Sequence, residues 1–149
     1  MERAIALCDI LLARLLWMFS IVSRDYLVEE LIPAVYYPNR MHSRTCSLHD
    51  LALLLAALAI GVLVDLDLEP YNEAAQLYIR LAWSAAGSLR AVPTISTVKC
   101  LQLMSIYHGM AGNKSDSHRL LISAWQRFCH VRFIFRYFTV IEANIGLTD

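Results

Sequence analysis

Five histidines, four cysteines and two close acidic pairs are the residues of this 149-residue chain that could bind a metal or move protons. The histidines are His42, His49, His108, His118 and His130. A helical zinc site needs ligands one turn apart, as in HExxH, and no helical pair of that spacing places a second ligand beside any of them. His108 falls late in a predicted helix, where an imidazolium would be favoured by the negative end of the helix dipole. Glu29–Glu30 and Asp65/Asp67 lie at predicted helix boundaries, and they read as solvated charge rather than an acid–base couple. There is no GxSxG, phosphate-binding loop or dinucleotide fingerprint, and Gly109-Met-Ala-Gly112 reads as a helix stop. Cys8, Cys46, Cys100 and Cys129 are far apart and form no Cys-x-x-Cys, which is the pattern of reduced thiols in an intracellular protein. No catalytic, cofactor-binding or metal-binding residue is assigned.

One further arrangement could do chemistry of another kind. Residues 114–136 carry Lys114, Arg119, Arg127, Arg132 and Arg136 against Asp116 alone, a net charge of +4. Phe128, Phe133, Phe135, Tyr137 and Phe138 are interleaved with them. Such a segment suits an anionic membrane surface or stacking on nucleic acid.

The elements that position these groups are set by composition and periodicity. The chain is 58% hydrophobic with zero formal net charge, so no global field favours nucleic acid or membrane. A chain of this length can bury roughly 70% of its unfolded surface in one domain. Its mean hydropathy of +0.48 fits a helical core piece expecting more protein around it, or a membrane protein. A spanning helix needs about 20 apolar residues. The longest uncharged run, Leu51–Val64, has 14 and is flanked by Asp50, Asp65, Asp67 and Glu69. Ala4–Val22 is interrupted by Asp9 and Arg14, and Phe128–Ile141 by Arg132 and Arg136.

Residues 3–20 read as a helix with an almost continuous apolar surface. Ser23 can cap a second helix, whose Leu27, Val28, Leu31 and Ile32 form one stripe and which Pro33 should end or kink. Tyr37–Ser47 is the most loop-like stretch. Ser47 and Asp50 resemble a capping box opening a polar-free central helix, with Cys46 and Leu51 at the hydrophobic-staple positions. After the acidic turn 65–69, Pro70 suits a first helical turn. An amphipathic helix comes next, with Ala74, Leu77, Tyr78, Leu81 and Ala85 inward and Glu73, Gln76, Arg80 and Ser84 outward. Thr94 or Ser96 caps the next helix, which runs to Met110. It is apolar except for one narrow stripe of Lys99, Gln102, Ser105 and Gly109. Gly112 and Asn113 tolerate the left-handed conformation that stops it, and Ser115 or Asp116 can cap the last helix. With no long alternating strand pattern, the predicted class is all-α: helix hairpins packed as an irregular array, part of a larger helical domain.

On these residues a resemblance can be stated. Residues 94–117, TISTVKCLQLMSIYHGMAGNKSDS, resemble the central motif of the fungal-specific transcription factor domain, also called the middle homology region. LHDLALLLAALAIGVLVDLD and EPYNEAAQLYIRLAWSAAGSL are similar to the two helices that precede that motif. VSRDYLVEELIPAVY resembles the opening segment in versions related to xylanolytic activators. The likeness covers about residues 15–120, in order and with matching spacing; each motif is an apolar helical pattern, and the specificity lies in their combination. Downstream the pattern departs. Ser117-His118-Arg119 stand where the family has a small residue and a tryptophan, and Trp125 comes several positions later.

The resemblance implies a non-enzymatic, nuclear regulatory domain of a zinc-cluster transcription factor, which receives signals or dimerises through apolar helix faces. The family's six-cysteine zinc cluster is not among these residues, so no zinc ligand carries over and DNA would be reached only through that module. The expected organisation is an incomplete regulatory region over residues 1–125 and a divergent basic-aromatic segment over 126–149. A fragment of this kind is expected to be sticky or oligomeric. The alternative expectation is a small helical membrane-associated protein.

Overall fold

The computed structural model describes residues 1–16, 21–37, 46–69, 72–87 and 94–145, with the side chains of the last helix described to Phe133. The class is all-α, with no strand among the described residues. Among the described residues six α-helices succeed one another: α1 (Glu2–Leu11), α2 (Ile32–Tyr36), α3 (Leu48–Val64), α4 (Glu73–Gly87), α5 (Ile95–Met110) and α6 (Lys114–Ile145). Pro70 and residues 38–45 lie outside the described residues, so the helix start placed at Pro70 and most of the polar loop do too.

The centre is α3. Its sequence gives it no polar face, and Ala52–Leu54 and Ala56–Val62 are buried all round. Around it pack α1, α4 and α5. Its start is a full capping box: Ser47 Oγ accepts from the Asp50 amide at 3.1 Å, and the Asp50 carboxylate accepts from the Ser47 amide at 3.2 Å. Where α1 crosses α3, a Cβ on Gly61 would fall on the Leu7 carbonyl oxygen, so only glycine permits the approach.

The amino-terminal region departs from expectation in two ways. The helix predicted over residues 3–20 is α-helical only to Leu11, and Leu12–Leu16 widen into a π turn. Pro33 does not end the second helix. Ser23 Oγ accepts from the Tyr26 amide at 3.3 Å as predicted, but Asp25–Leu31 then run as π-helix and the Ile32 amide bonds five residues back to Leu27. That wider register precedes the proline, which lies in the first turn of α2, where a missing amide donor costs little. The helix closes with the Tyr37 amide on the Pro33 carbonyl at 2.9 Å. An exposed Arg24–Asp9 ion pair, at 2.9 Å, ties this segment to α1.

In α4 the buried edge is Ala75, Ile79 and Ala82, whereas Leu77 and Leu81, predicted inward, are 48% and 44% exposed. Small side chains let helix axes approach closely, and α4 presents its alanines to the seam with the alanine-rich α3. That rotation leaves a leucine pair one turn apart on the surface.

Thr94 caps α5, with Oγ1 accepting from the Thr97 amide at 3.1 Å. Gly112 takes φ +83°, and the chain reverses into α6. The cap of α6 is Asn113 rather than Ser115 or Asp116, its Oδ1 accepting from the Asp116 amide at 3.2 Å. Asn favours this position because its side chain bonds its own turn. The helix then runs unbroken to Ile145.

Candidate functional site

Two polar arrangements arise from this packing. The first joins the amino-terminal ends of α3 and α5. Asp50 is 2% exposed, and its carboxylate accepts from Ser96 Oγ at 2.8 Å, Ser47 Oγ at 2.9 Å and Tyr26 OH at 3.3 Å. A carboxylate between two helix N-termini is held by their positive ends and by hydroxyl donors. Beside it, His49 Nδ1 lies 3.4 Å from Thr94 Oγ1, and its buried Nε2 has no hydrogen-bond partner among the described residues. Burial pushes the His49 imidazole below its ordinary range, Asp50 opposing this and Arg127 adding to it. Ser96 bonds a carboxylate and His49 bonds a threonine, so the nucleophile–base–orienter chain of a hydrolase is not formed. The cluster ties α3, α5 and the Tyr26 segment together.

The second is a groove of about 1090 Å³ between α5 and α6. Its α5 wall is the polar stripe picked out in the sequence: Lys99, Gln102, Ser105 and Gly109, bordered by Ile106 and Met110. Its α6 wall includes Leu121, Phe128, Val131 and Arg132, and Leu15 and Ile21 close one side. The helices are linked where Ser105 Oγ donates to the Ser117 carbonyl at 2.7 Å, and a Cβ on Gly109 would lie 3.1 Å from Ser117 Oγ. Ser117 therefore seats the turn of the hairpin. The Lys99 ammonium lies 4.8 Å from the centroid of the Tyr26 ring.

The other candidates are scattered. His108 accepts from the Trp83 indole, and burial, offset in part by Asp116, lowers its pKa. A neutral ring replaces the imidazolium expected at this helix end. His118 and His130 are exposed on α6, and His42 lies outside the described residues. Glu29 and Glu30 are exposed, and Asp65 accepts from the Asp67 amide at 3.1 Å in a local turn. Cys8 and Cys100 are buried, with burial pushing both thiols up to about 12, while Cys46 and Cys129 are exposed. Among the described residues no three His, Cys, Asp or Glu are grouped to hold a metal ion. No helix among them is long and apolar enough to cross a membrane.

On α6, Trp125 and Phe133 are 66% and 70% exposed, and Arg119 pairs with Asp116 at 2.8 Å. The side chains of Phe135, Arg136, Tyr137 and Phe138 are outside the described set. Sequence reading missed the Asp50–Ser96 link, which spans 46 positions, and saw the Lys99 stripe without the groove. Comparison with family models, with curated proteins and with solved structures gives no match.

Proposed function

We propose that this chain is a non-enzymatic regulatory module of a fungal zinc-cluster transcription factor, acting in the nucleus through protein contacts. The observation that carries the reading is the ordered resemblance over residues 15–120. The three central segments of that resemblance correspond to α3, α4 and α5, a packed unit in which α5 supplies Leu103 and Met104 to the core. The Leu77/Leu81 pair gives the module an apolar edge for a protein partner or a second copy. DNA binding belongs to the zinc-cluster module, which these 149 residues do not contain. The test is a tethered reporter: fused to a heterologous DNA-binding domain, the chain should change transcriptional output in at least one fusion orientation or carbon source. Unchanged output in all of them would sink the reading.

A second reading, a helical membrane-associated protein, draws on the exposed Trp125, Phe128 and Phe133 interleaved with Arg127 and Arg132 on α6. Alkaline extraction of cell membranes separates the two. A protein held by lipid stays with the pellet, whereas a regulatory module is released.

A further inference from the structure

The charge of the α5–α6 groove is not spread evenly. Ser105 faces Ser117 across the hairpin, which sets the register: residues near the start of α5 lie opposite residues near 127 on α6. Lys99 therefore lies towards one end of the groove, with Arg132 on the facing helix about two and a half turns further out in the same direction. The only charged residues among the described lining are these two cations. The other end is formed by Ile106, Gly109, Met110 and Leu121, with no charge. The rise from Lys99 to Met110 along α5 is ~16 Å, the extended length of a fatty acyl chain. The volume of about 1090 Å³ lies just above the range of small-molecule sites, roughly 300–1,000 Å³.

We propose that this groove binds a free amphipathic carboxylate, a single long alkyl chain with a terminal anion. The head group lies at the end of the groove that carries Lys99 and Arg132, and the tail runs over Ile106 towards Met110 and Leu121. Burying methylenes drives binding, and the positive charge at that one end chooses an anionic head and sets the direction of the chain. An amphipathic peptide helix fits less well, because its acidic residues would be distributed along its length while the cations here are gathered at one end. The proposal is independent of the regulatory reading, and a silent reporter leaves it standing.

The test is calorimetric titration of the full chain with monomeric myristate, with tetradecanol and tetradecyltrimethylammonium as equal-chain controls. Myristate should bind at one site at least tenfold more tightly than either control. Lys99→Met with Arg132→Gln should weaken myristate about tenfold and leave tetradecanol unchanged, in a protein whose far-ultraviolet circular dichroism matches the parent. Leu121→Asp, at an exposed position, should weaken myristate and tetradecanol alike. Equal affinity for all three amphiphiles, no loss in the double variant, or no effect of Leu121→Asp would overturn the proposal. So would binding to phosphatidylglycerol vesicles without binding of monomeric myristate, since that result assigns the cations to a membrane surface.

Discussion

The Trp83 indole N–H donates to His108 Nε2 at 3.3 Å, pinning the outer side of α4 to the end of α5. The rings meet edge-on with centroids 6.2 Å apart, and Tyr107 packs edge-on against the same imidazole at 5.5 Å. An imidazole nitrogen that accepts this bond carries no proton, so the contact exists only while His108 is neutral.

Stability should accordingly fall in mild acid. Burial lowers the His108 pKa in the fold, with Asp116 opposing it, and burial lowers that of His49 as well. The unfolded chain takes up these protons near the ordinary value of about 6.5. In the window below that value the unfolded state holds more protons, so the contribution is fully present above it and is lost as pH falls towards the folded values. The urea midpoint should drop between pH 7.5 and 5.5, and His108→Gln should flatten part of that drop. A midpoint with the same pH dependence in both proteins would show the contact to be inert.

Asp50 should be the most costly polar residue to remove. Asp50→Ala deletes the capping box and leaves the Ser96 and Tyr26 hydroxyls without this acceptor, at about 2–4 kcal/mol. Ser96→Ala should cost about 1 kcal/mol. The two changes should be less than additive in a double-mutant cycle by urea unfolding, because they break one shared bond.

Two glycine substitutions should move stability in opposite directions. Gly61→Ala gains helix propensity of about 1 kcal/mol but drives a methyl group into the Leu7 carbonyl, so α1 must lift from α3. A net loss of roughly 1–3 kcal/mol is expected. At Gly87 no described residue lies within 4 Å of an added Cβ, and Gly87→Ala should be neutral or stabilising by about 0.5 kcal/mol. Thermal unfolding of the two variants side by side reads both signs.

The leucine pair on α4 should make the chain self-associate. Leu77 and Leu81 are about half exposed and one turn apart, a small apolar edge open to a partner. Size-exclusion chromatography with light scattering should show mass rising with concentration, and Leu77→Gln with Leu81→Gln should suppress the rise. A parent protein that elutes as a monodisperse monomer at every concentration would refute this.

These elements also show what a sequence discloses. Local chemistry was legible wherever a few adjacent residues decide the outcome: the Ser47–Asp50 box, the Thr94 cap, the stop at Gly112. Periodicity placed α3 and α5 correctly, because helices without a substantial polar face have one option, the interior. It failed on α4, where leucines mark the apolar stripe by hydropathy but alanines win the seam by size. Pro33 does not end the helix because the π register before it, which no local residue pattern marks, places the proline in the first turn of α2. The groove was half legible. Its stripe was plain at Lys99, Gln102, Ser105 and Gly109, but the facing wall depends on how closely Ser117 lets α6 approach.

The burial of α3 on every side has a kinetic consequence. A helix with no wet face cannot form in water ahead of its neighbours, since each turn would expose apolar surface with nothing to cover it. Its coverings come from both sides in sequence, α1 before it and α4 and α5 after it. None of them can leave without uncovering part of it, so the amides of α3 open only when the whole molecule does. In deuterium exchange they should be the last to exchange, at the free energy of global unfolding, long after those of α6 beyond its contact with α5.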